Sequence, residues 1–300
     1  MRRSRSIPFT FIHTADWHLG APKGWGDANT PGSTEWVEDL RNLHEKATET
    51  VIYEAINRRV AAVLLAGDMT DLYSNPEPEL VARIHSFLWQ NVGIPLRDNG
   101  IKLVVTPGSH DCKSKEAIDL LLSLARDFPV NVRVLVPENF EKFFKETNFK
   151  PSSGLFRDLG PSTTCNSITI SCDEVERGKW IELHHLHGRD DNAIYSYHSN
   201  PPAYRAFGDR HVRGCENGCY FPGTPLVRSS ACDAPTEVGP RYCFLYTVGD
   251  VEPKAIKLRV PEVGLLKKPT ADKHLWNLTY DYDESGKPIT RDYEGRLSDP

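Results

Sequence analysis

Apolar and polar positions follow two alternating periods through the first half of the chain. Phe9 to Thr14 is a short aromatic and β-branched run, the pattern of a buried strand. From Glu35 to Arg59, Trp36, Leu40, Leu43, Ala47, Val51 and Ala55 recur at three- and four-residue spacing, which predicts an amphipathic helix. A second apolar run, 60–66, precedes a helix over about 77–91 carrying Leu80, Val81, Ile84, Phe87 and Leu88 on one side. A third, 101–105, precedes a helix over 115–127 with Ile118, Leu121, Leu122 and Ala125, and Val132 to Val136 is the next strand. Strand and helix alternate, so the first half predicts an α/β sheet with crossover helices.

Beyond residue 160 the helical period fades. Short strands are predicted at 167–172, 180–184, 218–221, 242–248 and 255–260, with turn signals between them. They imply a second, more antiparallel sheet packed on the first. Cys215 and Cys219 flank Asn217-Gly218, a hairpin signal, and a hairpin is the reading preferred over a metal clip. From Pro261 to Pro300 the chain turns polar and loses its period, apart from the alternating run Leu275-Trp276-Asn277-Leu278-Thr279-Tyr280. Residues 261–300 are therefore read as an extension in which a half-buried strand covers a sheet edge or docks a partner.

Three of the apolar runs end in the same chemistry. The first leads into Asp16-Trp17-His18-Leu19-Gly20, the second into Gly67-Asp68-Met69-Thr70-Asp71, and the third into Gly108-Ser109-His110-Asp111. Residues i and i+2 of an extended segment point the same way, so Asp16 and His18 offer a carboxylate and an imidazole to one point. Such a pair suits a divalent cation. Ligand sites of α/β sheets lie past the carboxyl ends of strands, where these clusters fall. Two more histidine-bearing stretches follow, His184-His185-Leu186-His187-Gly188 and Gly208-Asp209-Arg210-His211. His13 is read as a core histidine or one that orients the ligands, and Trp17 as packing under the first loop.

Composition narrows the field. The chain has 300 residues, 39% hydrophobic and 26% charged, ordinary for a globular protein and large enough for one big domain. A net charge of −5 excludes a general polyanion binder, so any nucleic-acid contact must use local basic patches. Seven scattered cysteines fit reduced thiols. The apolar run after the basic start is at the short limit for a signal peptide, and no run reaches a membrane span, so a cytoplasmic protein with no membrane partner is expected.

In order, the motifs are Asp16-x-His18, Gly67-Asp68-x-x-Asp71, Gly108-x-His110-Asp111, a strand ending in His187-Gly188, and Gly208-x-x-His211. This resembles the calcineurin-like metallophosphoesterase superfamily over residues 9–260. Within it, His13-Thr14-Ala15-Asp16-Trp17-His18-Leu19-Gly20 and Tyr220-Phe221-Pro222-Gly223-Thr224-Pro225 are similar to the SbcD-type nuclease subunit of DNA double-strand-break repair. The resemblance implies a four-layer α-β-β-α sandwich of two packed mixed sheets with helices outside, over 7–260. It also implies two divalent cations, Mn²⁺ favoured with Mg²⁺ as alternative, about 3.5–4 Å apart.

Asp16, His18 and His211 would complete the first site and Asp68 would bridge. Ser109, His187 and Asp209 would serve the second, with His185 the second choice after His187. His110 would be the general acid or transition-state contact, beside the bridging Asp68. Asp71 and Asp111 would orient ligands. Arg189, Arg205, Arg210, Arg213 and Arg228 are candidates for a phosphate or DNA track. The chain departs from the family at Ser109, where the family has Asn, and at Asp209, where it has His. Either the second site is remodelled toward oxygen ligands, or it is damaged. The function implied is a metal-dependent DNA nuclease subunit, acting with an SMC-like ATPase and open to homodimerisation. The alternatives are a phosphatase or phosphodiesterase acting on small molecules or phosphoproteins, and a non-catalytic scaffold.

Overall fold

The computed structural model describes residues 9–21, 33–72, 76–135, 156–158, 168–170, 181–185, 202–216, 218–226, 240–260, 279–282 and 288–291. Its first half alternates as the periods require: β1 (Thr10–Thr14), α1 (Ser33–Asn57), β2 (Ala62–Ala66), α2 (Pro78–Phe87), α3 (Ile94–Asp98), β3 (Lys102–Thr106), α4 (Lys115–Asp127) and β4 (Val132–Val134). The helix expected to end near 91 runs on as a π-turn, Leu88–Gly93, into α3. Pro95 lies in the first turn of α3, where its missing N–H costs least.

Among the described residues, the second half is all strand: β5 (Phe156–Asp158), β6 (Ile168–Ile170), β7 (Ile181–His184), β8 (Tyr204–Phe207), β9 (Gly214–Glu216), β10 (Cys219–Phe221), β11 (Tyr242–Thr247), β12 (Lys254–Lys257), β13 (Thr279–Tyr282) and β14 (Pro288–Arg291). Two six-stranded sheets result, ordered β12-β11-β1-β2-β3-β4 and β5-β6-β7-β8-β10-β9. In the first, β1 to β4 are parallel and β11 is antiparallel to β1. In the second, β7, β8 and β10 are parallel and the outer pairs antiparallel.

Two sequence expectations change here. The strands at 242–248 and 255–260, assigned to the second sheet, belong to the first. β11 covers the edge of β1, where hydrogen bonds not used by β2 need a partner, and β12 pairs in turn with β11. The second sheet is also less antiparallel than expected, because its three central strands run together. The strands on either side of the expected hairpin do pair antiparallel, with Glu216 opposite Cys219 and Cys215 exposed; Asn217 itself lies outside the described residues. In the tail, β13 pairs with β14 rather than with either large sheet. Residues 275–278 of the expected strand lie outside the described residues.

Alternation along the first sheet sorts its side chains between two cores. Ile12, Val63, Leu65, Leu103 and Val105 pack with Ala47, Val51, Ile84, Leu96 and Leu121 of the helices. Phe11, Leu64 and Val104 face the other way and pack with Ile181, Leu183, Tyr204 and Ala206 of the second sheet. The fold is thus an α/β sandwich of two mixed sheets. Among the described residues, the helices all lie against the first sheet. His13 sits in the seam between the sheets. Its Nδ1 lies 2.9 Å from the Tyr204 hydroxyl, and burial pushes its pKa down to about 3, so it is a neutral core histidine. No described helix is long and apolar enough to cross a membrane.

Candidate metal centre

Five strands end at one place. Past β1 come Asp16 and His18, past β2 Asp68 and Asp71, past β3 Ser109 to Asp111, past β7 His185, and past β8 Asp209 and His211. The first two loops run side by side. Asp16 N–H donates to the Gly67 carbonyl and His18 N–H to the Asp68 carbonyl, both at 3.0 Å, and Asp71 N–H donates back to Leu19 O at 2.8 Å.

Five non-glycine residues have positive φ among the described residues, and four are at this site: Asp16 (54°), His18 (48°), Asp68 (49°) and Asp209 (71°). Left-handed backbone is costly for residues with a Cβ and persists where surrounding contacts over-determine it. Glycines let the loops approach. A Cβ on Gly108 would meet Asp68 Oδ1 at 2.1 Å, and one on Gly208 would meet the Ala66 carbonyl at 1.8 Å.

Among the described residues, three groups of acids and histidines form: Asp16, His18 and His211; Asp16, Asp68 and His185; and His18, Asp71 and His110. The carboxylate common to the first two is Asp16, whereas the resemblance gives the bridging role to Asp68. One oxygen of Asp68 accepts the His110 N–H at 2.7 Å, and the other lies 3.4 Å from the Ser109 hydroxyl and 3.3 Å from His185 Nε2. Ser109 therefore spends its hydroxyl on Asp68. Asp209, the other departure from the family, directs Oδ1 to within 3.5 Å of His185 Nε2, and its N–H donates to Asp16 Oδ1 at 3.1 Å. His187 and Gly188, chosen from the sequence, lie outside the described residues. His185, the second choice, is the histidine found in the cluster.

The geometry calls for cations. His185 Nδ1 lies 2.9 Å from the Ala66 carbonyl, which can only accept, so Nδ1 carries the proton. In the neutral ring Nε2 then offers a lone pair toward two carboxylates, which is repulsive unless a proton or a metal ion intervenes. His18 Nε2 and His211 Nε2 lie 3.2 Å apart, so either one ring donates its proton to the other or a cation takes both lone pairs. Asp16 Oδ2 is buried and accepts no hydrogen bond, a costly arrangement for a carboxylate oxygen.

The ionisation pattern says the same. Burial, helped by Asp68 and opposed by the pull of His185 and His211, pushes the pKa of Asp16 up to about 7. Burial also opposes ionisation of Asp68, but the imidazoles of His185, His18 and His110 outweigh it and hold Asp68 well below the usual carboxylate range. Burial opposes charging of His185, yet Asp68 and Asp16 push it up to about 10. Protons occupy the positions that cations would take. Buried imidazoles and carboxylates are a donor set that fits divalent metal ions.

Around this centre, His110 Nδ1 lies 2.7 Å from Asp71 Oδ1, a histidine–carboxylate pair beside His18. Asp111 accepts from the N–H groups of Gly108, Met69 and Thr70 and from the Thr70 hydroxyl, tying the loops after β2 and β3 together. Burial and the nearby Asp68 push its pKa up to about 6.

Of the candidate arginines, Arg210 is paired with Glu216 and stacked on Phe221. Arg213 lies over the Tyr242 ring with its guanidinium carbon 4.0 Å from the centroid, and Arg205 is on β8. Arg189 and Arg228 lie outside the described residues. Two residues that motif reading did not single out also support the site. Buried Arg241 donates to the His211 carbonyl at 3.4 Å, and buried His44 of α1 meets the Trp17 carbonyl. Neither belongs to a motif; His44 interrupts the apolar face of α1, the one trace it leaves in the sequence.

Two facing sheets with acids and histidines gathered at their strand ends define a metal-dependent hydrolase. Comparison with protein-family models matches residues 9–227 to the calcineurin-like phosphoesterases. The chain belongs to that family, whose members hydrolyse phosphoesters with two bound divalent metals.

Proposed function

We propose that the protein is a DNA nuclease subunit that hydrolyses phosphodiester bonds with two divalent cations, Mn²⁺ foremost. The observation that carries hydrolysis is the His110–Asp71 pair, 2.7 Å apart, beside clusters whose buried nitrogens and oxygens fit cations. DNA as substrate rests on the likeness of the runs 13–20 and 220–225 to the SbcD-type subunit.

Bound there, the cations would lower the pKa of an attacking water and offset charge on the phosphoryl oxygens. Asp16, His18 and His211 would hold one, and Asp68, His185 and Asp209 the other. Asp71 accepts the Nδ1 proton of His110 and fixes that ring. His110 is thereby oriented to contact the phosphoryl group or to give a proton to the departing oxygen. A second reading is a phosphatase or phosphodiesterase acting on small molecules or phosphoproteins, since a metal cluster of this kind does not by itself choose the substrate. An SMC-like ATPase remains the proposed partner, and a second copy of this chain an alternative.

The test is chelator-stripped protein assayed with Mn²⁺ or Mg²⁺ on linear DNA, on a chromogenic phosphodiester and on a phosphopeptide. Metal-dependent DNA cleavage is expected. Turnover of the chromogenic diester without DNA cleavage would move the assignment to the second reading, and no turnover at all would leave a scaffold.

A further inference from the structure

Helix α1 buries two polar side chains on a face that otherwise reads as core. His44 and Thr48, one turn apart, are each almost fully buried, in line with Ala47, Val51, Ile52 and Ala55. A buried imidazole is costly unless its polar atoms are satisfied. His44 Nδ1 lies 3.0 Å from the Trp17 carbonyl oxygen. A carbonyl only accepts, so Nδ1 holds the proton and donates.

The position of that carbonyl matters. Trp17 stands between Asp16 and His18, both at positive φ and both in the first group of candidate ligands. The amides of Asp16, His18 and Leu19 are pinned toward the second loop by the carbonyls of Gly67, Asp68 and Met69. On the opposite side, the Trp17 indole is buried and its Nε1–H donates to Thr14 Oγ1 at 3.0 Å. His44 completes this clamp from the helix layer. It fixes the Trp17–His18 peptide, and so the direction in which the His18 ring leaves the backbone.

We propose that His44 is a positioning residue for the metal centre: its Nδ1–H holds the Trp17 carbonyl and thereby presets the Asp16–His18 loop for cation binding. The inference rests on the metal-hydrolase reading, but its test reads metal affinity rather than turnover. Wild-type protein that binds Mn²⁺ without cleaving DNA would end the nuclease reading and leave this test intact.

The test compares His44→Leu, His44→Asn and His44→Gln by calorimetric titration of chelator-stripped protein with Mn²⁺, alongside thermal melting. Asn carries an amide N–H near the place of Nδ1, and Gln near that of Nε2. Groups that orient metal ligands are typically worth about 10–100-fold in affinity. Leu and Gln are expected to weaken Mn²⁺ binding by about tenfold or more, with Asn within about threefold of wild type. A merely structural role would lower the melting temperature of all three without separating Asn from Gln. Equal Mn²⁺ affinity in the Asn and Gln variants, or wild-type affinity in the Leu variant, overturns the proposal. If the Leu variant does not fold, the Asn–Gln comparison decides alone.

Discussion

Replacing Gly208 by Ala tests how tightly the two sheets are fitted at the metal centre. The new methyl would lie 1.8 Å from the Ala66 carbonyl oxygen and 2.9 Å from His185 Nδ1. Ordinary carbon–oxygen contact is about 3.4 Å or more, so one backbone must retreat by well over an ångström. No side-chain rotation relieves it, because Gly208 N–H is bonded to the His184 carbonyl at 3.0 Å and Ala66 ends β2. The overlap also strikes the 2.9 Å contact that orients His185. Overpacking of this kind costs about 2–3 kcal/mol. For a chain of this size that lowers the melting temperature by on the order of 5 °C. Losing the His185 orientation should weaken Mn²⁺ binding by about tenfold or more. Gly214→Ala is the control, since a Cβ there meets nothing within 4 Å. Calorimetry and Mn²⁺ titration of both variants decide the matter. A Gly208→Ala protein as stable and as metal-avid as Gly214→Ala would refute the close-approach reasoning.

Three further outcomes follow from the site. His110→Ala should lower hydrolysis by about 10²–10⁴-fold while Mn²⁺ affinity stays near wild type, since the backbone N–H that holds Asp68 survives; loss of metal binding in titration would instead make His110 a ligand. Metal-free protein should lose stability as pH rises, because the folded pKa is raised both for Asp16, to about 7, and for His185, to about 10. The Asp16 contribution fades as pH climbs from near 4 through 7, and that of His185 as pH climbs from near 6.5 through 10, so melting in chelator should be higher at pH 6 than at pH 9, and the opposite order would contradict the assignment. Asp111→Ala removes the acceptor of four donors and should cost about 3–5 kcal/mol, measured by denaturant unfolding.

Much of this was legible in the residue order. The period switch between helix and strand placed β1 to β4 and the helices between them, because burial on both faces of a parallel sheet leaves continuous apolar runs. The same runs placed Asp16, His18, Asp68 and His110 just past strand ends. The choice among His184, His185 and His187 was not legible. Residues i and i+2 share a face, so 185 and 187 are equivalent until the last residue of the strand is known. β7 ends at His184, which brings His185 to the loop that meets Ala66. Nor did local pattern say which sheet takes 242–247. That depends on an open edge of β1, more than two hundred residues away in the chain. His44 and Arg241 act through single backbone carbonyls, and no spacing rule reports such contacts.

The seam between the sheets has a mechanical consequence. Phe11, His13, Tyr204 and Tyr246 interlock there, with Tyr204 stacked on Tyr220 at 5.1 Å and 8°. β1 carries Asp16 and His18 from one side of that seam, and β8 carries Asp209 and His211 from the other. Interdigitated rings resist sliding, so the seam holds the two halves of the centre in register. The spacing of the residues that would hold the cations is set when the sheets dock. A phosphoester is then brought to a preformed centre, and the adaptation needed for hydrolysis falls on the substrate more than on the protein.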